Sequence, residues 1–420
     1  MVGRISSLLK KEWGIPQTLL DIASSCEKES QSQEESFQIA AEKKKLKILK
    51  AFREAGVQEF HLQASSGYGY HDLGREVVDR VFASSFGAEK ALVRHQFVSG
   101  THALKIALFS LLRPGDTVLV VPDPPYDTLY PLFGLRKSEG SLREWDISVL
   151  YADPQEILSD KIGLNSKIKV VFIQRSKGYS WKNSISVSEI EALILHLKAK
   201  LPNLQIVVDN CYGEFVEEKE PSEIGADLIA GSLIKNPGGG MVLTGGYLAG
   251  SSAAVEKAAA QFTAPGLGQS VGPSLGMTRS FLMGVFFAPE IVAAALKTAV
   301  FASRLFKELG YRVLPEPEDK RSDIIQAIEL KTPEKVSAFA KGIQEAGPLD
   351  HFSIPEPSLM AGYQDQILMA GGTFVQGGSL ELSCDAPMRP PYTVYLQGSL
   401  SAIHGKLGVL LAAKEVIHAK

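Results

Sequence analysis

What this sequence lacks excludes several classes of protein. Its three cysteines, Cys26, Cys211 and Cys384, lie far apart and form no CxxC pair. That argues against a disulfide framework or a cysteine zinc site and fits a reducing cytoplasm. The eight histidines are scattered without HxH or HExxH spacing, so no resident metal is expected. No GxxxxGK marks a nucleotide loop, and the glycines from Gly67 to Gly74 do not follow GxGxxG. Neither charge dominates: 44 basic and 47 acidic residues leave a formal net charge of -3, well mixed, which gives no surface for nucleic acid. The start, Met-Val-Gly-Arg-Ile-Ser-Ser-Leu-Leu-Lys-Lys, is charged where a signal peptide needs an apolar run. The most membrane-like stretch, Phe281 to Phe301, is interrupted by Pro289, Glu290 and Lys297. It predicts a buried helix pair rather than a span of about 20 apolar residues.

What is present is enough for a large core. With 420 residues, 45% of them hydrophobic, the chain predicts two domains. Residues 1–60 read as a helical arm with a solvated polar turn from Glu27 to Ser36. Residues 61–305 alternate short β-branched runs with amphipathic helices, predicting a large α/β domain on a mainly parallel sheet. The strand candidates are Thr117–Val121, Val170–Ile173, Leu204–Val208 and Leu228–Gly231, with helices at Thr101–Leu112 and Ser186–Lys200. Residues 306–420 predict a smaller α+β domain: Tyr311–Leu314 and Ile324–Leu330, a helix from Pro333 to Ala346, and extended runs at Thr373–Ser383 and Tyr392–Gln397. A last helix, Ser399 to His418, sets Leu400, Ile403, Leu407, Leu410 and Leu411 on one core face.

Chemistry concentrates where strands end. Ser232-Leu-Ile-Lys235-Asn-Pro-Gly-Gly-Gly puts a lysine at the end of a strand, before a turn that cannot continue as helix or sheet. That edge of an open α/β sheet is where ligands bind, and a lysine held there against a cationic cofactor can be depressed toward about pH 7–8. The other reading is a surface lysine before a glycine loop. Val207-Val208-Asp209-Asn210 ends an apolar strand in an acid, either a carboxylate for a ligand cation or a turn cap. Ser99-Gly100-Thr101 opens a helix whose N–H groups and hydroxyls suit a phosphate, with Ser232 adding a hydroxyl, or is an ordinary N-cap. Asp123-Pro-Pro-Tyr126 fixes an aromatic that could stack on a flat ring or sit in the core. Tyr68, Tyr70 and Arg75 lie in a glycine-turned loop able to reach a phosphate, including that of a neighbouring subunit. Arg389, between prolines, is the first candidate to grip a carboxylate and Arg175 the second, with a structural arginine the alternative for both.

A lysine for an aldehyde, a carboxylate for a pyridine nitrogen, an anion site and an aromatic lid are the four needs of a pyridoxal 5′-phosphate (PLP) enzyme acting on amino acids. Taken together, SGTHALK at 99–105, QRSKGYSW at 174–181, DNCYGEF at 209–215 and SLIKNPGGG at 232–240 resemble the methionine γ-lyase-like family of PLP enzymes, often labelled aluminium resistance proteins. The likeness runs from GYGYHDLGRE at residue 67 to APMRPPYTVYLQG at residue 386. It implies the fold type I, aspartate aminotransferase-like architecture, with Lys235 as Schiff-base lysine and Asp209 as pyridinium partner. It places Ser99, Gly100, Thr101 and Ser232 at the phosphate. It also implies a homodimer or homotetramer with shared sites, Tyr68 and Tyr70 contributing in trans. Lys182-Asn183 departs from the Arg-Pro that follows the tryptophan in the family.

The expected activity is carbon–sulfur bond cleavage in a sulfur-containing amino acid, by β- or γ-elimination, with Lys235, Asp209 and Tyr126 as its catalytic residues. The alternatives are transamination or another side-chain cleavage, a PLP-binding regulatory protein without turnover, and metal sequestration independent of Lys235.

Overall fold

The structure is a computed structural model and describes residues 2–419. The chain forms two compact units, one of Lys44–Gly178 and Ser184–Phe287, the other of Met1–Lys43, Tyr179–Asn183 and Ala288–Lys420.

The first unit is built on a seven-stranded sheet of β1 (Lys90–Arg94), β2 (Thr117–Val121), β3 (Ser148–Tyr151), β4 (Ile168–Gln174), β5 (Gln205–Asp209), β6 (Leu228–Ser232) and β7 (Gly246–Gly250). Their order is β1-β7-β6-β5-β4-β2-β3. The five strands from β3 to β6 in that order run parallel, while β7 and β1 close the edge antiparallel. Every residue of β2 and β6 is buried, as a parallel sheet with helices on both faces requires. On one face Leu104 and Leu108 of the helix Gly100–Leu111 pack with Val118, Val120, Phe172, Val207 and Leu228. The expected strands match β2, β4, β5 and β6. The sequence reading missed β1, β3 and β7: β3 is a half-exposed edge, and β7 begins and ends in glycine, a poor strand signal.

The second unit holds β8 (Arg312–Leu314), β9 (Gln326–Glu329), β10 (Ile367–Ala370), β11 (Ser383–Pro387) and β12 (Thr393–Gln397), all antiparallel, in the order β10-β11-β12-β9-β8. Helices Pro333–Glu345 and Ala402–His418 cross where a Cβ on Gly342 would stand 2.4 Å from the Ala412 backbone, so only glycine permits this approach.

Several expectations are corrected here. Residues 1–43 are no separate arm, because Leu9, Ile15, Leu19, Leu20 and Cys26 are buried in one core with Phe301, Phe306, Phe339 and Val409. The polar interval from Glu27 to Ser36 is not a solvated turn: helices Gln17–Glu29 and Gln31–Glu54 are interrupted only at buried Ser30, whose hydroxyl donates to the Cys26 carbonyl at 2.8 Å. Its acids have an internal partner, since buried Lys406 donates to Glu27 and Glu34, each at 2.8 Å. Residues 373–382 are looped rather than extended, because the Glu381 carboxylate accepts the N–H groups of Phe374 at 2.7 Å and Val375 at 2.8 Å. On the last helix Leu410 and Leu411 are buried as expected, whereas Ile403 is 42% exposed and Lys406, Val409 and Ala413 are buried as well. The Phe281–Phe301 pair is a single helix, Thr278–Glu308, with Pro289 inside it. Among the described residues this is the one helix long and apolar enough to cross a membrane, and 67% of its most apolar window is buried in the protein.

Lys406→Met would strand two carboxylates beside the core. A loss of about 3 kcal/mol is expected in urea unfolding, with most of it recovered when Glu27→Gln and Glu34→Gln are added. A loss near zero would show that solvent already screens the two acids.

Candidate active site

The parallel strands place their C-terminal ends along one edge, and the expected residues gather there. Asp209 ends β5, Ser232 ends β6, and Lys235 follows three residues later, in a turn rather than on the strand itself. That turn depends on glycine, because a Cβ on Gly238 would lie 1.7 Å from the Leu233 carbonyl oxygen. The helix Gly100–Leu111 starts beside both strand ends. A Cβ on Gly100 would stand 3.2 Å from Ser232 Cβ and 3.6 Å from Cys211 Sγ, so glycine is what brings the helix N-terminus this close. Ser99 is the N-cap, its hydroxyl accepting from the His102 N–H at 3.1 Å, and Thr101 occupies the first turn.

Asp209 is almost completely buried, which raises its proton affinity. The positive charge of Lys235, the Cys211 N–H bonded to its Oδ1 at 3.1 Å and the Cys211 side chain work the other way. Lys235 is only partly shielded from solvent. Burial favours its neutral form, yet Cys211, Tyr212, Asp209 and Glu214 together hold its ammonium well above the usual lysine range. The expected depression belongs to a lysine held against a cationic cofactor, and the direction here is that set by the protein's own residues. The protein's own residues favour the ammonium, and a positive charge brought beside it would favour the neutral amine instead.

The ring directly against Lys235 is Tyr212, whose centroid lies 3.9 Å from Nζ. Sequence reasoning missed Tyr212, although an aromatic three residues past a strand-end acid was visible; its backbone turns at φ +69° to face the lysine. Tyr126 lies on the same sheet edge, its N–H donating to Gln174 Oε1 at 2.6 Å and its ring covering Gly178. Glu214 was missed as well. It is fully buried, accepts the Tyr247 hydroxyl at 3.0 Å, and is pushed up from 4.5 to about 8, chiefly because burial penalises its charged form.

The two loop arginines are corrected. Arg175 is 0% exposed, and its guanidinium donates to Asn210 Oδ1 at 2.7 Å, the Gly213 carbonyl at 2.8 Å and Glu217 at 2.7 Å. It holds the turn after Asp209 together and presents no surface to a substrate. Arg75 is buried too, and donates to the carbonyls of Gly69 and Gly272, so it secures the tyrosine loop instead of reaching for a phosphate. The loop presents Tyr68 and Tyr70 72% and 58% exposed, their rings stacked 5.5 Å apart. Arg389 belongs to the other unit, where it forms an ion pair with Asp365 at 2.6 Å.

A mostly parallel sheet with a strand-end Asp209, a lysine in the turn after the neighbouring strand and a smaller antiparallel unit define the fold type I architecture of PLP-dependent enzymes. The residues present fit that cofactor, because Gly100 leaves its helix N-terminus open beside Ser232, and the buried Asp209 carboxylate lies within electrostatic reach of the Lys235 ammonium. The chain belongs to the methionine gamma-lyase family, which matches residues 19–417. It is 44% identical over 384 residues to the uncharacterized Bacillus subtilis protein YnbB, covering 90% of this chain and 91% of that one. A solved Clostridium acetobutylicum protein described as involved in aluminum resistance superposes with a TM-score of 0.93 at 44% identity, covering 98% of each chain. A carbon-sulfur lyase involved in aluminum resistance from Clostridium novyi NT superposes with a TM-score of 0.91 at 42% identity, over 97% of this chain and 98% of that one.

Two outcomes follow from this geometry. Arg175→Ala is expected to lower stability by about 3–5 kcal/mol, because it strands buried partners; a normal unfolding curve with only a raised KM would restore the substrate-binding role. Because Glu214 binds its proton more tightly folded than unfolded, its stabilising contribution is complete below pH 4.5 and is lost as pH rises through about 8. Glu214→Gln should flatten that part of the Tm-against-pH curve, and an unchanged curve would place the ionisation elsewhere.

Proposed function

We propose that this chain is a carbon–sulfur lyase that uses PLP to cleave a sulfur-containing amino acid by β- or γ-elimination. The observation that supports it most is the buried Asp209 carboxylate within electrostatic reach of Lys235, beside Gly100 and Ser232, in a chain similar over nearly its whole length to a carbon-sulfur lyase.

Each residue has a stated task in this reading. The N–H groups at Gly100 and Thr101, with the hydroxyls of Ser99, Thr101 and Ser232, bind the phosphate. Asp209 pairs with the pyridine nitrogen and keeps it protonated. When bound, PLP supplies an electron sink for the bond broken at the substrate's α-carbon. Lys235 Nζ, once neutral, takes the α-proton, and for γ-elimination it also moves a proton at the β-carbon before the thiol leaves. Tyr212, against Nζ, limits where the amine can swing, and Tyr126 covers the same sheet edge. Arg389 binds the α-carboxylate by exchanging its half-exposed Asp365 partner for the substrate. Tyr68 and Tyr70 complete the site of a second copy in a homodimer or homotetramer.

The test is the absorbance of the purified, PLP-reconstituted protein before and after borohydride, followed by assay of keto acid and thiol across sulfur amino acids. A visible band lost on reduction, with the cofactor fixed to Lys235, is expected, as is release of both products. Lys235→Ala should abolish the fixation and lower turnover by at least about 10²-fold. Absence of the band after reconstitution would overturn the reading. Arg389→Ala should raise KM about tenfold with little change in kcat; an unchanged KM would remove Arg389 from the site.

A further inference from the structure

Two buried arginines line one small cavity to which the proposed activity gives no task. Its walls include Arg75 of the helix Leu73–Phe86, Arg94 at the end of β1, Gln96 and Thr278, with Val78 and Phe281 as apolar neighbours. Its volume is about 10 Å³, room for one water-sized sphere. Arg75, Arg94 and Thr278 are each at most 4% exposed. Arg75 donates through Nη1 to the carbonyls of Gly69 at 2.5 Å and Gly272 at 2.9 Å. Arg94 donates through Nη1 to Asp79 Oδ1 and to the Val93 carbonyl, both at 2.7 Å. Arg75 Nε, Arg94 Nε and Nη2, and the Thr278 hydroxyl are buried and have no hydrogen-bond partner among the described residues. Arg94 Nε lies 4.0 Å from where a Cβ of Gly272 would stand, so that glycine leaves the space beside the guanidinium open.

We propose that this cavity binds one halide ion, chloride in ordinary salt, held between the guanidiniums of Arg75 and Arg94. Three of the unpartnered atoms can only donate a hydrogen bond, and the Thr278 hydroxyl can donate a fourth. Against them stands one unpartnered acceptor on the wall, Gln96 Oε1. A water molecule has two lone pairs and leaves part of this donor set unmet, at a cost for each buried group. A spherical anion accepts from every side. Phosphate and sulfate are larger than the cavity, which leaves a monoatomic anion as the class that fits.

The charges agree. Among the described residues no carboxylate lines the cavity: Asp79 is taken by Arg94 Nη1, and Asp72 caps its helix through the Arg75 N–H. His95, also on the wall, is held toward its neutral form by burial and by Arg94. Burial and the neighbouring Arg94 charge loosen Arg75's hold on its own proton, the opposite of what a nearby anion would do. Thr278 is the first residue of the long helix Thr278–Glu308, whose positive end adds to the same field. The apolar neighbours keep the local dielectric low, so attraction to an anion is stronger here than at the surface.

The experiment has two readouts on the full-length protein. Crystals grown in sodium bromide, with diffraction recorded at the bromine absorption edge, are expected to show an anomalous peak between Arg75 and Arg94. Density there without anomalous signal would make the occupant a water and overturn the proposal. In solution, sodium chloride replacing sodium gluconate at constant ionic strength is expected to raise Tm by about 2–4 °C. Thr278→Val keeps the shape of the side chain and removes one donor without touching either arginine. It should need about tenfold more chloride for the same rise. A chloride response of equal size in both proteins would place the ions elsewhere on the molecule and overturn the proposal, as would no response in the wild type. Neither readout involves PLP or a substrate, so failure here leaves the proposed lyase reading standing.

Discussion

The constraint on which this structure turns is the need to keep one carboxylate charged out of water. Asp209 ends a strand behind buried Ile206, Val207 and Val208, where an isolated ion would be penalised by several kcal/mol. Burial raises its affinity for a proton, the Lys235 charge and the Cys211 N–H brought beside it oppose that rise, and most of the local architecture serves their delivery. Lys235 arrives by a turn in which a Cβ on Gly238 would strike the Leu233 carbonyl, and the turn rests on a long helix at Gly284, whose own Cβ would lie 2.5 Å from the Gly238 carbonyl oxygen. Two glycines in contact therefore set the height of the lysine above the sheet. Bulk at either would move the ammonium, and the carboxylate would then lose its counter-charge.

A second layer of polar contacts holds the first. Arg175 ties Asn210 and Gly213 to Glu217, Asn210 reaches Glu220 at 2.9 Å, and Lys44 donates to the Val216 carbonyl at 3.1 Å. The segment after Asp209 is thus stapled at several points and cannot drift as the strand end relaxes. A guanidinium suits this task better than an ammonium, because its fork serves a side-chain amide, a carbonyl and a carboxylate at once.

How far the sequence could be read depended on where each signal was stored. Asp209, Lys235 and Gly100 were legible because each stands at a junction written locally: a β-branched run ending in an acid, a lysine before Asn-Pro-Gly, a Ser-Gly pair before an amphipathic helix. The strands β2, β4, β5 and β6 were legible for the same reason, as runs bounded by breakers. Tyr212 and Glu214 were not, since their importance comes from the lysine that folding places against them 20 or so residues later in the chain. Arg175 was misassigned because a cation near a ligand motif looks the same in sequence whether it faces the ligand or the protein. The N-terminal acids were read as solvated for want of a visible partner; Lys406 lies almost the whole chain away.

The tyrosine loop carries a last consequence. Gly67 and Gly69 both turn at φ +62°, Arg75 secures the Gly69 carbonyl from below, and Asp72 caps the following helix by accepting from the Arg75 N–H at 2.8 Å. Tyr68 and Tyr70 are therefore displayed in water on a backbone that is already rigid, their rings supporting one another. Most exposed aromatics give up rotational freedom when a surface closes over them, and that loss subtracts from the gain of burying them. Here much of the loss was incurred when the chain folded, so whatever surface comes to cover these two rings keeps most of the apolar gain as binding strength.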